Sequence, residues 1–127
     1  LGLETAATFL APTVDHAISA AVVADLSRLA DLLLLPSREE GFGIPVLEAG
    51  LAGIPVFCSD IHALRELGGE DVHYFSPNAE PKLVAKAIAS VLQASKLFAL
   101  RKRALQRYTW EGIYQDGIAP LLAEGTR

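Results

Sequence analysis

Two glutamates and two glycines stand close together in a stretch whose chemistry suits an anionic ligand. Glu40 precedes Gly41 and Gly43, and Glu48 follows at the spacing E-x7-E. Glycines let the backbone approach a ligand closely, and the free N–H groups at a helix start attract phosphate. The stretch therefore predicts a phosphate site at the turn formed by residues 40–44, which we call the glycine turn.

The flanking residues predict a strand before this turn and a helix after it. Residues 32–35 are all leucine and are followed by Pro36, which favours a central strand of a parallel sheet over an edge strand. Pro45 suits the first turn of a helix, and Gly53 just before Pro55 marks its end.

Glu48 has two interpretations. It is the only charged residue between Gly41 and Ser59, and we expect it to lie against the apolar Val46, Leu47 and Leu51. A lone buried carboxylate needs a polar partner, which a ligand could supply. Alternatively, Glu48 only complements the helix dipole and Glu40 is only solvated. The spacing alone leaves both interpretations open.

A longer block of sequence resembles a known family. It reads S-R-E-E-G-F-G-I-P-V-L-E-A-G-L-A-G-I-P-V-F-C-S-D-I-H-A-L-R-E-L-G-G-E-D. The block is similar to the nucleotide-sugar half of retaining glycosyltransferases of the GT-B fold, in family 4, which carries the E-x7-E motif. Weaker similarity continues to Trp110. The resemblance implies an α/β fold, a Rossmann-like parallel sheet with helices on both faces, which forms the C-terminal half of a GT-B protein.

The resemblance also implies roles for individual residues. Glu40 would contact hydroxyls of the donor sugar and act as the catalytic residue, and Glu48 would bind the ribose. The diphosphate would be held by the glycine turn and helix start, namely Gly41, Phe42, Gly43 and Ile44. The donor would be a nucleotide diphosphate sugar, and no metal or other cofactor is expected, since no D-x-D occurs in the chain.

Length and composition indicate one globular domain, residues 1–127, and the absence of an initiator methionine suggests a piece of a longer protein. The resemblance implies that this domain binds the donor in a two-domain glycosyltransferase. The net charge of −4 argues against a nucleic-acid binder. Cys58 is the only cysteine, so no internal disulfide forms; we expect it in the core of a cytoplasmic protein. The resemblance also implies that an acceptor domain and a basic R-x5-K pair for the phosphates precede this chain, so donor binding by the chain alone should be incomplete.

The other helices and strands are predicted from the spacing of apolar residues and from the capping, glycine and proline residues that bound each segment. Alternating strands and helices predict βαβ units, with ligands at the carboxyl ends of the strands. The predicted strands are a strand end at 8–10 and strands at 55–59 and 72–75, and the predicted helices lie at 16–30, 63–67, 80–92, 96–108 and 110–122. The helix at 16–30 is expected to be capped by Thr13 or Asp15. Its expected buried residues are Ile18, Ala21, Val22, Leu26 and Leu29.

Several charged residues have a functional and a plainer interpretation. His16 could contact a ligand, although a capping or surface histidine is the commoner case. His62 could be catalytic, although a histidine in a surface loop is commoner. Lys96, Arg103 and Arg107 share a helix face that could make peripheral contact with anionic lipid, or could simply be solvated.

The resemblance thus implies a donor-binding domain whose full-length enzyme transfers a hexose with retention, and the chain alone is expected to be inactive. The alternatives are a non-catalytic nucleotide-binding module and a structural domain that docks on a partner. Ordinary dinucleotide or NTP binding is a poor interpretation, because Val46 replaces the third glycine of G-x-G-x-x-G and no P-loop occurs.

Overall fold

The computed structural model describes residues 5–10, 18–107 and 109–124. They form two compact units, one ending at Pro77 and the other beginning at Asn78. The expectation of a single donor-binding domain over residues 1–127 stays a prediction.

The first unit contains a parallel sheet of three strands within the described residues, in the order β1-β2-β3. The strands are β1 (Leu33–Leu35), β2 (Val56–Ser59) and β3 (His73–Phe75). Leu35 pairs with Cys58, and Cys58 pairs with Tyr74. Helices α1 (Ala20–Leu29), α2 (Ile44–Ala52) and α3 (His62–Gly68) alternate with these strands. This arrangement confirms the predicted α/β, Rossmann-like architecture.

Two expectations about strands are wrong. In the described sheet β2 is the central strand and β1 is an edge, so the leucine run of β1 does not indicate a central position, and Leu34 remains 46% exposed. Residues 8–10 form no strand, because they pair with none of the described strands, and Phe9 is exposed.

Helix α1 differs from its prediction in both start and buried face. It begins at Ala20, because the Ser19 hydroxyl accepts a hydrogen bond from the Val22 amide at 3.4 Å and so caps the helix. Thr13, Asp15 and His16 lie outside the described residues. The predicted buried face is exposed, and the half-buried residues are instead Val23, Ser27 and Ala30.

Helix α2 has the predicted bounds. Pro45 lies in its first turn, and Gly53 ends it with a φ of 71° while its amide donates to Ala49 and Gly50 carbonyls. Gly43 precedes the helix with a φ of 84°, a conformation that only glycine adopts without strain. A Cβ atom at Gly43 would stand 2.9 Å from Leu64 Cδ2. The glycine turn therefore lies directly against α3.

The core lies between the sheet and helices α2 and α3. All four residues of β2 are buried, so both faces of this strand are covered. On one face of β2, Val56 and Cys58 belong to the same buried cluster as Val46, Ala49 and Leu64. On the other face, the Phe57 ring stacks on the His73 ring with centroids 4.6 Å apart. Cys58 is a fully buried free thiol, as expected.

The second unit is helical. It contains α4 (Pro81–Ala94), α5 (Lys96–Arg107), α6 (Trp110–Ile113), a π-helical turn (Tyr114–Ile118) and α7 (Ala119–Glu124). Helix α4 is half-buried along Val84, Ile88, Val91 and Leu92, whereas Leu83 is exposed. The continuous helix predicted for 110–122 is interrupted by the π-helical turn, which contains Gly117, a weak helix former.

In the described ranges no single helix is long and apolar enough to cross a membrane. Helix α4 and residues 96–106 of α5 pass this test only as a pair, and the pair is bent by 82°.

We predict that Gly43→Ala lowers the free energy of unfolding by at least about 1–2 kcal/mol, because the left-handed backbone and the contact with Leu64 both oppose a methyl group. Urea denaturation measures this change. Gly41→Ala is the control, since a Cβ atom there would meet no heavy atom within 4 Å. Equal losses in both variants would contradict the special role of Gly43.

Candidate functional site

The glycine turn presents unpaired backbone amides at the start of α2. The Gly43 carbonyl accepts from the Val46 amide at 2.9 Å, and Pro45 has no amide hydrogen. The amides of Gly41, Phe42, Gly43 and Ile44 find no acceptor among the residues that the structure describes. These N–H groups and the positive end of the α2 dipole make the turn suitable for a phosphate group.

Glu40 is held at the entrance of this turn by a serine that the sequence interpretation missed. The Ser37 hydroxyl donates to Glu40 Oε2 at 3.2 Å, and the Glu40 side chain is half-buried. Because one carboxylate oxygen is oriented by Ser37, Oε1 remains for hydroxyl groups of a ligand. The spacing S-x-x-E was a usable signal in the sequence.

Glu48 is exposed, so the expectation that it is buried is wrong. Val46 and Ala49 form the buried side of α2, while Leu47 and Leu51 are exposed with Glu48. The reason is that α2 covers the core with a single narrow face. No hydrogen bond or ion pair to Glu48 occurs in the described part of the chain.

Glu48 lies at a groove between α1 and α2. One part of this groove has a volume of about 220 Å³ and a second part about 300 Å³. The first part also contains Ser27 and Arg28 of α1. Arg28 pairs with Asp25 at 2.8 Å, an i,i+3 spacing that was readable from the sequence. An unpaired carboxylate at a groove is available to accept hydrogen bonds from a ligand.

A second opening lies beside the glycine turn, against α3. It has a volume of about 330 Å³ and is lined by Gly41, Phe42, Ala63, Glu66 and Leu67. Phe42, at the edge of this opening, is 62% exposed. Glu40 lines neither part of the groove at Glu48, so the structure does not bring the two glutamates together in one groove.

An ion pair fixes the loop that follows β2. Arg65 donates from Nε and Nη2 to the two Asp60 oxygens at 2.6 and 2.8 Å. Its guanidinium lies 4.4 Å from the centre of the Tyr74 ring, and the Tyr74 hydroxyl donates to the Leu64 and Gly69 carbonyls. This cluster was missed because Asp60 and Arg65 are five residues apart across a helix start, which is not a regular helix spacing.

The cluster also sets the protonation of its members. The hydrogen bond from Arg65 lowers the pKa of Asp60, and the same bond raises the pKa of Arg65. Burial raises the pKa of the Cys58 thiol, with the Asp60 charge adding to the effect. Burial likewise raises the pKa of Tyr74. Cys58 is therefore a neutral core residue rather than a nucleophile.

His62 is the first residue of α3 rather than a loop residue. Its side chain is 97% exposed and its Nε2 lies 3.9 Å from Glu66 Oε2. No group of three or more histidine, cysteine or acidic residues that could hold a metal occurs among the described residues.

Comparison with known proteins identifies the family. The family model described as "Glycosyl transferases group 1" matches residues 7–107, which is most of the chain. The chain belongs to this glycosyltransferase family. The glycine turn, Glu40 and Glu48 all lie within the matched range.

Several curated relatives are similar to the chain. The serotype-specific mannosyltransferase WbdA of Escherichia coli is 38% identical over 56% of this chain and 9% of WbdA. The O-antigen chain mannosyltransferase RfbU of Salmonella typhimurium is 31% identical over 91% of this chain and 31% of RfbU. The D-inositol 3-phosphate glycosyltransferase of Geodermatophilus obscurus is 29% identical over 97% of this chain and 27% of that enzyme. The chain thus spans less than a third of the length of these relatives. No solved structure matches it.

We predict that Asp60→Asn lowers the thermal unfolding midpoint at neutral pH. Because Arg65 lowers the pKa of Asp60, its stabilisation is present above the ordinary value of 3.8 and is lost as pH falls through the lowered pKa. The difference from the unsubstituted chain should therefore shrink in acid. Glu70→Gln is the control, since it removes a charge without a hydrogen-bonded partner in the described ranges. A pH-independent difference would contradict the prediction.

Proposed function

We propose that this chain is the donor-binding part of a retaining glycosyltransferase with a GT-B fold, in family 4, that uses a nucleotide diphosphate hexose. The observation that carries the proposal is the row of unpaired amides at the start of α2, flanked by Glu40 and Glu48, in a chain of a glycosyltransferase family. The acceptor would bind to a further domain of the longer enzyme.

The glycine turn would stabilise the leaving diphosphate. As the bond to the anomeric carbon breaks, negative charge grows on the phosphate oxygens. Amides of residues 41–44 and the α2 dipole are already oriented, so they stabilise this charge without reorganising. This role needs no metal ion. It does require the rigid backbone that Gly43 makes possible against Leu64.

The two glutamates would bind the two ends of the donor. Glu48 has no partner of its own and lies at the groove between α1 and α2, so its carboxylate can accept hydrogen bonds from ribose hydroxyls. Glu40 directly precedes the glycines of the turn and is oriented by Ser37, so its free Oε1 can accept from hydroxyls of the sugar. Its negative charge beside the anomeric centre would also stabilise positive charge that develops there.

The proposal predicts that Glu48→Ala weakens binding of a nucleoside diphosphate. Hydrogen bonds to a charged group contribute about 1.5–3 kcal/mol each. Since Glu48 is exposed and water competes, we expect the loss of about one such bond, or about tenfold in affinity. Titration calorimetry of the chain with UDP and GDP measures it. Glu70→Ala is the control. Unchanged affinity in Glu48→Ala with an intact fold would contradict the assignment of Glu48 to the ribose.

The proposal also predicts that Glu40 discriminates the sugar and not the nucleotide. Glu40→Gln should reduce the affinity for a nucleotide sugar by about fivefold to tenfold, because an acceptor for sugar hydroxyls loses its charge. The affinity for the corresponding nucleoside diphosphate should stay the same. Titrating both ligands gives the comparison.

Glu39→Gln is the matched control, since Glu39 is the exposed neighbour of Glu40. Equal effects of the two substitutions, or a loss of nucleoside diphosphate affinity in Glu40→Gln, would contradict the assignment.

A further inference from the structure

A cavity of about 470 Å³ lies between α2 and α3, toward the amino ends of the strands. Apolar residues of both helices and of the sheet line it, among them Leu47, Leu67 and Val72. Asp71 is the one charged residue among the described residues of this lining. The volume falls within the range of small-molecule sites, about 300–1,000 Å³, and such sites combine an apolar lining with a few polar groups.

Helix α2 carries more apolar surface than the core covers. Glu48 is the only charged residue of this helix, so the helix is apolar on nearly all sides. Such a helix is normally buried on all of those sides. In α2 only Val46 and Ala49 are buried, whereas Leu47 and Leu51 are exposed at the cavity. The cavity side of α2 therefore has apolar surface that a ligand can cover.

Gly50 keeps this cavity open. It lies in the interior of α2 without a positive φ, and a Cβ atom there would meet no heavy atom within 4 Å. Neither the backbone nor the packing therefore requires glycine, although glycine is the least favourable residue after proline in a helix interior. Residues that break a local preference in this way occur mainly at functional sites.

Asp71 gives the cavity a preference for positive charge. Its amide donates to the Gly68 carbonyl at 3.0 Å, which holds the residue next to the end of α3. Its side chain is exposed and makes no hydrogen bond or ion pair within the described residues. A carboxylate beside an apolar cavity attracts a cation and repels an anion.

We propose that this cavity binds a small amphiphilic cation, with its hydrocarbon part between α2 and α3 and its ammonium group beside Asp71. Burial of the hydrocarbon supplies most of the affinity, and the charge of Asp71 selects the head group. A nucleotide does not fit this chemistry, because the apolar lining leaves its polar groups unpaired and Asp71 repels its phosphates. The proposal is independent of the donor site, since neither Glu48 nor any of residues 40–44 lines the cavity.

Titration of the 127-residue chain with three ligands of equal chain length, followed by amide NMR shifts, tests the proposal. The ligands are octylammonium, 1-octanol and octanoate, each below the concentration at which it forms micelles. Octylammonium should bind most tightly and octanoate most weakly, with the largest shifts at Gly50, Gly68 and Val72. Equal affinity for octylammonium and octanoate, or shifts that lie outside the cavity, would overturn the proposal.

Two substitutions at Gly50 test whether the open space is the site. Gly50→Leu should fill the cavity and weaken octylammonium binding by about tenfold or more, since the hydrocarbon loses its place between the helices. Gly50→Ala is the control, because a methyl group leaves most of the space open. Both variants should raise the thermal unfolding midpoint, since both residues are better helix formers than glycine. Unchanged affinity in Gly50→Leu would show that the ligand lies elsewhere.

The role of the charge is tested separately at Asp71. Asp71→Asn should weaken octylammonium binding by about twofold to fivefold, as expected for an exposed ion pair, and should leave the affinity for 1-octanol unchanged. Glu70→Gln is the matched control, because Glu70 is the neighbouring exposed carboxylate and does not line the cavity. Equal losses in both variants would reject Asp71 as the partner of the ammonium group.

Sedimentation equilibrium of the chain without ligand tests the other possible occupant, a second copy whose exposed Leu51 enters the cavity. The proposal predicts that the chain and its Gly50→Leu variant have the same monomeric mass. A dimer that Gly50→Leu abolishes would make the second copy the occupant and reject the small cation.

Discussion

The close approach of the glycine turn to α3 is the constraint on which the site depends. Gly43 has a φ of 84° and its α-carbon faces Leu64, which is fully buried, so any side chain there would collide with the core. This contact fixes where α2 begins and therefore where its unpaired amides point. It also brings the opening lined by Gly41 and Phe42 next to α3. The row of unpaired amides at the start of α2 is thus a consequence of core packing.

The rest of the first unit holds α3 in place for that contact. Buried β2 leads directly into the loop at Asp60, whose amide donates to the Phe75 carbonyl at 2.8 Å. Arg65 then links this loop to α3 and lies over Tyr74 of β3. A Cβ atom at Gly68 would stand 2.7 Å from the Tyr74 hydroxyl, so the end of α3 is as tightly packed as its start. Strand, loop and helix therefore form one rigid support for the glycine turn.

Local signals in the sequence were sufficient to predict the parts of this candidate site that depend on backbone conformation. Pro45 and Gly53 predicted the bounds of α2, because a missing amide and a left-handed conformation act within a single turn. The exposure of Glu48 was not predictable, since it depends on which face of α2 meets the core. The prediction of the buried face of α1 was wrong for the same reason. The residues in line with Val22 and those in line with Val23 both repeat at helical spacing, and only the packing of the helix selects which of the two faces is buried.

The most direct measurement is the change in backbone amide NMR shifts of the chain on addition of a nucleoside diphosphate. The account predicts that the largest changes fall on the amides of residues 41–44, with smaller ones along the groove that Glu48 shares with α1. The contrary result would be changes centred on the apolar cavity of about 470 Å³ between α2 and α3, which Val56 and Val72 line at the amino ends of the strands. Such a pattern, with the glycine turn unaffected, would show that the unpaired amides are not the anion site.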